Sequence, residues 1–162
     1  LAFKAYDLHW LEEPIFPPED YPTLARLRAE TGVALASGEN ACTAFEFQQM
    51  MNAEAVTYYQ PSVTKVGGIT EIKKIVAMAN LKGNTVMPHA PYFGPGLLAT
   101  LQILSTMPDE CLAENFYYKT LEASLYGEAI KAQDGNITVP TGPGLGLEPN
   151  PDVIKDYCDK ET

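Results

Sequence analysis

Basic residues, cysteines and long apolar stretches are all scarce in this sequence. Its 162 residues include 11 lysines and arginines against 21 aspartates and glutamates, a formal net charge of −10. That charge would repel a phosphate backbone, and no run of lysine or arginine forms a basic patch, so nucleic acid is not an expected partner. No apolar stretch reaches the roughly 18 residues of a membrane span, and the N-terminus lacks a signal-peptide pattern.

The cysteines are few and far apart. Cys42, Cys111 and Cys158 are odd in number and have no CxxC spacing, which argues against a disulfide framework and against a thiolate zinc site. A reducing compartment follows, and we expect a cytoplasmic protein. The GxSxG elbow of serine hydrolases and the glycine-rich loops that bind nucleotide phosphates are also absent.

Short apolar segments alternate with amphipathic ones through most of the chain. Five segments rich in valine, leucine and tyrosine predict strands: HWLEE, VALASGEN, AVTYYQ, NTVMPHA and CLAENFYY. Helical periodicity follows the first four, which predicts an α/β fold with a parallel sheet of about five βα units. The sheet would be either part of a closed eight-stranded barrel, which needs about 250 residues, or a doubly wound open sheet.

One predicted helix shows its buried face clearly. Four apolar residues recur there at helical spacing, with Gly83 placed as a C-cap: Ile69, Ile72, Val76 and Ala79. Such a stripe is typical of a helix that packs on a sheet.

The composition changes near the C-terminus. Residues 119–162 are rich in glycine and proline and predict turns around one short strand, NITVP. We expect residues 1–118 to form part of the barrel domain and residues 119–162 to be a tail that packs on it. Leu1 opens a segment that resembles the end of a helix, so we expect earlier strands to precede it.

Polar side chains follow the predicted strands at their carboxyl ends: Glu12, Glu39, the loop 60–65, His89 and Glu114. Because these ends meet at one edge of a parallel α/β fold, we expect the side chains to converge. Carboxylates from two strand ends without sulfur ligands suit Mg²⁺. The alternative is that they cap helices or pair with lysines. Since side chains alternate along a strand, Glu12 and Glu13 should face opposite sides.

Two further residues could move protons. Lys65 lies in the glycine-containing segment SVTKVGG, and His89 ends a strand in MPHAPYFGPG. A lysine held close to a divalent cation can serve as a base, and an imidazole transfers protons near neutral pH. The structural alternatives are a solvated charge for Lys65 and a hydrogen-bonded strand-end group for His89.

Together, five segments resemble the C-terminal barrel half of the enolase superfamily, in the branch of mandelate racemase and muconate lactonizing enzyme. They are WLEEP at 10–14, GEN at 38–40, KVGG at 65–68, PHA at 88–90 and LAENF at 112–116. The resemblance implies the C-terminal part of a (β/α)₇β barrel, with the capping domain and first strands outside this chain. It also implies Mg²⁺, which stabilises the enediolate formed when a base removes the proton α to a carboxylate.

The resemblance assigns roles to eight positions: Glu12 and Glu39 as metal ligands, His89 and Lys65 as catalytic residues, Glu114 and Ser62 as substrate contacts, and Glu13 and Asn40 as supporting residues. Ser62 departs from the family, because mandelate racemase-like members have an aspartate there that assists the histidine. A serine carries no stabilising charge, so His89 should be a weaker base.

The expected activity is Mg²⁺-dependent dehydration of a sugar acid or hydroxy acid by a homo-oligomeric enzyme. A racemase or epimerase acting on a hydroxy acid or amino acid derivative is an alternative, as is a cycloisomerase. A noncatalytic barrel that serves as a scaffold is the alternative outside enzymology.

Overall fold

The computed structural model describes residues 2–108, 111–116 and 123–158. Its strands and α-helices are, in chain order, β1 (Leu11–Glu12), α1 (Tyr21–Thr31), β2 (Leu35–Ser37), α2 (Ala44–Asn52), β3 (Tyr58–Tyr59), α3 (Ile69–Leu81), β4 (Thr85–Val86), α4 (Pro95–Leu104) and α5 (Pro151–Tyr157). Two 3₁₀ helices, Ala2–Tyr6 and Gly127–Ile130, complete the regular structure of these residues.

The four strands form one parallel sheet in the order β1-β2-β3-β4. Glu12 lies opposite Ala36 in β2, Ala36 lies opposite Tyr58 in β3, and Tyr59 lies opposite Val86 in β4. Each strand thus pairs with the next along the chain, with a helix between them. This confirms the predicted parallel α/β architecture of successive βα units.

The helix boundaries follow from local sequence. Asp20 caps α1 by accepting a hydrogen bond from the backbone N–H of Thr23 at 3.1 Å, and Gly32 ends that helix in the left-handed conformation with φ 65°. At α2, the Thr43 hydroxyl oxygen accepts from the backbone N–H of Glu46 at 3.2 Å. The Glu46 carboxylate accepts in return from the Thr43 hydroxyl at 2.7 Å and from the backbone N–H of Cys42 at 3.1 Å.

One face of the sheet is mostly buried, and only Leu11 of the first strand is partly exposed there. Leu35 and Tyr59, on the face opposite to Ala36 and Tyr58, are 0% and 1% exposed. Large side chains of the helices that connect the strands are buried as well: Leu24, Phe47, Met50, Ile72 and Ile75. The apolar strand residues predicted from the sequence therefore form a core, and the polar residues lie at the strand ends.

The buried face of α3 differs from the prediction. Ile69 is 39% exposed, whereas Ile75 is 0% exposed and joins Ile72 and Ala79 in the core. The helix is rotated relative to the predicted stripe, because Ile75 satisfies the same spacing with Ile72 and Ala79.

The chain forms two compact units. The first contains the described residues up to His89 together with Cys111 and Leu112, and the second contains Ala90–Pro108 and the described residues from Ala113 onward. In the second unit, four side chains around α4 pack with Ile130: Ala90, Leu97, Leu98 and Leu101. Gln102 on α4 donates to the carbonyl oxygen of Pro140 at 2.7 Å, which attaches the C-terminal segment to that helix.

Two predicted strands are not formed by the described residues of their segments. Residues 111–116 contain no strand, and Tyr117 and Tyr118 of that segment lie outside the described residues. Residues 136–140 contain only an isolated bridge between Gln133 and Asn136. The predicted boundary at 118–119 also lies outside the described residues, so the domain division stays a prediction.

Among the described helices, none has both the length and the apolar character needed to cross a bilayer.

Candidate metal centre and active site

Three strand-end side chains come together in the first unit. Glu12, Glu39 and His89 each offer one ligand atom, and these atoms all lie within 4.8 Å of one another. Their positions in the sequence are far apart, so the parallel sheet is what gathers them. The convergence predicted from the sequence is therefore present for these three residues.

Each of the three follows a different strand. Glu12 is the last residue of β1, and Glu39 follows β2 after Gly38, which has φ 134°. His89 follows β4, where its backbone N–H donates to the carbonyl oxygen of Pro61 at 3.2 Å. This bond extends the pairing of the third and fourth strands beyond their assigned ends and places the imidazole at the same edge as the carboxylates.

One oxygen of Glu12 accepts two hydrogen bonds from neutral donors. The indole N–H of Trp10 donates to Oε2 at 3.0 Å, and Nε2 of Gln60 donates to the same oxygen at 2.8 Å. No described residue donates to Oε1 of Glu12. The carboxylate is held at one oxygen, and its other oxygen is left for a ligand.

Glu13 has a different environment from its neighbour. Its Oε1 accepts from the Ser37 hydroxyl at 2.5 Å and from the Gly38 backbone N–H at 3.2 Å, and its Oε2 accepts from Nδ2 of Asn40 at 3.4 Å. Both oxygens are thus used to join the end of the first strand to the loop after the second. Glu12 and Glu13 contact separate sets of residues, as strand alternation predicted.

His89 has a carboxylate beside it although Ser62 replaces the family's aspartate. Nδ1 of His89 lies 3.3 Å from Oε2 of Glu39, and the two side chains are 12% and 28% exposed. Ser62 is fully buried, and its hydroxyl lies 3.0 Å from that of Thr64. Ser62 carries no charge, as the sequence indicated, but Glu39 places a carboxylate beside the imidazole. The weaker basicity expected of His89 stays a prediction.

The other predicted site residues are placed as follows. Lys65 is exposed in the turn before α3, where Gly67 and Gly68 have φ 94° and 93°. Those backbone angles favour glycine, as the KVGG segment predicted. Glu114 belongs to the second unit, where its Oε2 accepts from the backbone N–H of Ala90 at 2.9 Å. The roles assigned to Lys65, Glu114 and Ser62 toward a substrate stay predictions.

The site formed by Glu12, Glu39 and His89 fits a divalent cation. Two carboxylates lie near each other, and no described lysine or arginine forms an ion pair with either one. Like charges so placed repel unless a cation lies between them. Gln60, which is 3% exposed and contacts Glu12, has an amide oxygen without a hydrogen-bond partner among the described residues. The two carboxylates suit Mg²⁺ or Mn²⁺, since carboxylate oxygens are the ligands such ions prefer, and the imidazole beside them is better suited to proton transfer.

Two residues of this site, Trp10 and Gln60, have no role assigned from the sequence, although Gln60 opens the loop 60–65 that was expected to converge with the carboxylates. Both signals were present: Trp10 precedes Glu12 by two residues, which in an extended chain places them on one side, and Gln60 directly follows the third strand. A neutral side chain gives a weaker sequence signal for a metal site than a charged one, although it can orient a metal ligand just as well.

The protein is thus an α/β protein in which carboxylates and an imidazole, a group that could hold a metal ion, lie together at the ends of parallel strands. The sequence profile of the family described as enolase C-terminal domain-like matches residues 1–153. The chain belongs to this family, in the mandelate racemase and muconate lactonizing enzyme branch of the enolase superfamily, and corresponds to its C-terminal portion.

Named relatives are similar over nearly the whole chain. A D-galactarolactone cycloisomerase from Agrobacterium fabrum is 31% identical over 161 residues, covering 94% of this chain and 42% of that protein. An arabinonate dehydratase from Saccharolobus solfataricus is 33% identical over 149 residues, covering 91% of this chain and 39% of that protein. The chain thus spans about two fifths of the length of these relatives.

Solved structures show the same fold. A crystal structure of L-talarate dehydratase from Polaromonas sp. JS666, complexed with Mg and L-glucarate, superposes with a TM-score of 0.80 at 30% sequence identity. The match covers 95% of this chain and 40% of that one. The similarity therefore extends over both compact units.

Proposed function

We propose that the protein containing this chain is a Mg²⁺-dependent enzyme that removes the proton α to the carboxylate of a sugar acid and eliminates a β-hydroxyl as water. The observation that carries the proposal is that one ligand atom from each of Glu12, Glu39 and His89 lies within 4.8 Å of the other two. The names of similar proteins, several of them sugar acid dehydratases, support the substrate class.

In this proposal Glu12 and Glu39 hold the cation. The cation would stabilise the negative charge that develops on the substrate carboxylate as the α-proton leaves. The α-proton passes to Nζ of Lys65, and Nε2 of His89 gives a proton to the β-hydroxyl oxygen. The carbon–oxygen bond then breaks, a carbon–carbon double bond forms, and water departs. Glu39 beside Nδ1 of His89 orients the imidazole for this transfer.

An isomerase is the second candidate, and the relatives named as cycloisomerases favour it. The first step is unchanged, but no water is lost: a proton from His89 or Lys65 returns to carbon, and in a cycloisomerase the bond that breaks is a ring carbon–oxygen bond whose oxygen stays in the product. Small carboxylic acids remain the proposed substrates, and the assembly is proposed to be a homo-oligomer.

Exchange of the α-proton with solvent deuterium tests the proposal. The whole protein should catalyse this exchange in some sugar acid only when Mg²⁺ is present, and mass spectrometry of the acid separates dehydration from isomerisation. Glu39→Gln should abolish exchange, whereas Glu30→Gln, the same change at an exposed position of the first helix, should not. A wild-type protein that shows no Mg²⁺-dependent exchange with any sugar acid would support the noncatalytic scaffold instead.

A further inference from the structure

We propose that Trp10 and Gln60 are positioning residues that hold Oε2 of Glu12 and so direct Oε1 toward the cation. The inference rests on the proposed function, since it requires that Glu12 binds a metal ion. Its basis is the pair of hydrogen bonds to one oxygen, 3.0 Å from Nε1 of Trp10 and 2.8 Å from Nε2 of Gln60. A carboxylate fixed at one oxygen by two donors loses most of its rotational freedom before the ion arrives.

The register of the sheet makes the bond from Gln60 possible. Glu12 lies opposite Ala36, and Ala36 lies opposite Tyr58, two residues before Gln60. The first and third strands are about 10 Å apart, twice the usual strand spacing. The side chains of Glu12 and Gln60 meet above the second strand, where Ala36 presents only a methyl group. A larger residue at position 36 would occupy the space that these side chains cross.

The two donors are themselves held in place. Gln60 is 3% exposed, and its amide must turn Nε2 toward Glu12 because a carboxylate only accepts hydrogen bonds. The Trp10 ring contacts the rings of His9 and Tyr58, with centroid separations of 5.0 Å and 5.2 Å. Glu12 is exposed, so these partners supply the order that burial does not.

Both donors are neutral, which matters for cation binding. A lysine or arginine in either place would cancel the charge of Glu12 and compete with the metal ion. An indole and an amide orient the carboxylate and leave its full negative charge. Glu13 is the contrast within the same segment, because its two oxygens accept three hydrogen bonds that join two strands and it has no oxygen left over.

Calorimetric titration of the whole protein with Mg²⁺ tests this assignment. Gln60→Met keeps the shape of the side chain but removes the donor, and it should weaken Mg²⁺ binding by about 10-fold to 100-fold, the usual cost of losing an outer-shell partner. Trp10→Phe keeps the aromatic contacts, removes the N–H and should weaken binding in the same direction. Gln48→Met, at an exposed position of the second helix, is the matched control and should bind Mg²⁺ like the wild type.

Trp10 also gives a spectroscopic readout that does not depend on activity. It is the single tryptophan of the 162 residues, and its N–H donates to the proposed metal ligand, so Mn²⁺ binding should quench its emission. Trp10→Phe supplies the background from any other fluorophore. In Gln60→Met, quenching should require at least about tenfold more Mn²⁺, even though Trp10 itself is unchanged.

The outcomes separate this inference from the proposed function. Failure of the wild type to bind Mg²⁺, or equal binding by the wild type and Glu39→Gln, overturns the proposed function. If the wild type binds, Glu39→Gln does not, and both Gln60→Met and Trp10→Phe bind as the wild type does, the positioning role is wrong. Trp10 is only partly buried, so Trp10→Phe remains informative even where Gln60→Met fails to fold.

Discussion

Nδ1 of His89 lies 3.3 Å from Oε2 of Glu39, a residue that also belongs to the proposed cation site. The same carboxylate therefore faces both the imidazole and the position where a metal ion would bind. In mandelate racemase-like members the resemblance implies a separate aspartate for the histidine, and here that position is Ser62. Under the proposed function, proton transfer and cation binding would thus depend on one shared glutamate.

Replacing His89 by asparagine should separate these two roles. Asparagine keeps a polar side chain but transfers no proton near neutral pH, so turnover should fall by about 10²-fold to 10⁴-fold, the usual contribution of a general acid or base. Mg²⁺ affinity, measured by calorimetry, should fall by less than turnover does, within the roughly 10-fold to 100-fold cost of losing a neighbour of a metal ligand. A loss of affinity as large as the loss of turnover would instead make His89 a metal ligand.

The adjacent glutamates should respond differently to the same substitution. Glu12→Gln removes the charge that the cation needs, and it should lower Mg²⁺ affinity by more than the roughly 10-fold to 100-fold effect expected of an outer-shell partner. Glu13→Gln is the matched variant, because its amide oxygen can still accept from Ser37 and Gly38. It should leave Mg²⁺ affinity nearly unchanged.

Removing Glu13 entirely should affect folding. In Glu13→Ala the hydroxyl of Ser37, which is 1% exposed, loses its acceptor. The free energy of unfolding in urea should fall by about 1–3 kcal/mol, the cost of leaving a buried donor unsatisfied. An unchanged unfolding midpoint together with lost metal binding would reverse the roles of the two glutamates.

Much of this site could be predicted because parallel strands have a simple geometry. Once Glu12, Glu39 and His89 are placed at strand ends, their convergence follows from the fold and needs no knowledge of individual contacts. The four predicted helices also formed, since capping residues such as Asp20 and Thr43 mark their beginnings.

Other features depend on tertiary contacts that no local pattern encodes. Ile69 and Ile75 both fit the helical period around Ile72 and Ala79, and only packing selects Ile75 as the buried one. The partner of His89 was missed for a similar reason. The sequence indicates Glu39 as a metal ligand, a helix cap or a lysine partner, and its distance from the imidazole depends on how far each strand extends.

Alkaline pH should destabilise the protein through its buried tyrosines. Burial raises the pKa of Tyr59 to about 12, and burial likewise raises the pKa of Tyr21 to about 12. In the unfolded chain a tyrosine loses its proton near pH 10, whereas the folded protein keeps it. Stability is therefore fully present below about pH 10 and is lost as the pH rises toward 12, by about 1.4 kcal/mol per tyrosine at pH 11.

Urea unfolding of the wild type and Tyr59→Phe at pH 8 and pH 11 would measure this loss. At pH 8 the variant should unfold at a urea concentration similar to that of the wild type. Between pH 8 and pH 11 its free energy of unfolding should fall by about 1.4 kcal/mol less than that of the wild type. An identical loss of unfolding free energy between pH 8 and pH 11 in both proteins would show that Tyr59 does not contribute to the alkaline destabilisation.

Gly38 links the packing of the core to the position of Glu39. It has φ 134°, and a Cβ added there would lie 2.7 Å from Cε1 of Phe47 and 3.1 Å from the backbone nitrogen of Gln60. Phe47 is 0% exposed and cannot move aside freely. Gly38→Ala should therefore cost about 1–3 kcal/mol in the free energy of unfolding, as overpacking of a core does.

The same substitution should also weaken Mg²⁺ binding, because the backbone shift that relieves the clash moves the adjacent Glu39. Gly83→Ala is the matched control: its φ is also positive, at 69°, but no atom lies within 4 Å of the added Cβ. That variant should lose about 1 kcal/mol from backbone strain alone and bind Mg²⁺ like the wild type. Equal Mg²⁺ affinity in both alanine variants, measured by calorimetry at a temperature where both are folded, would mean that Glu39 is positioned independently of Gly38.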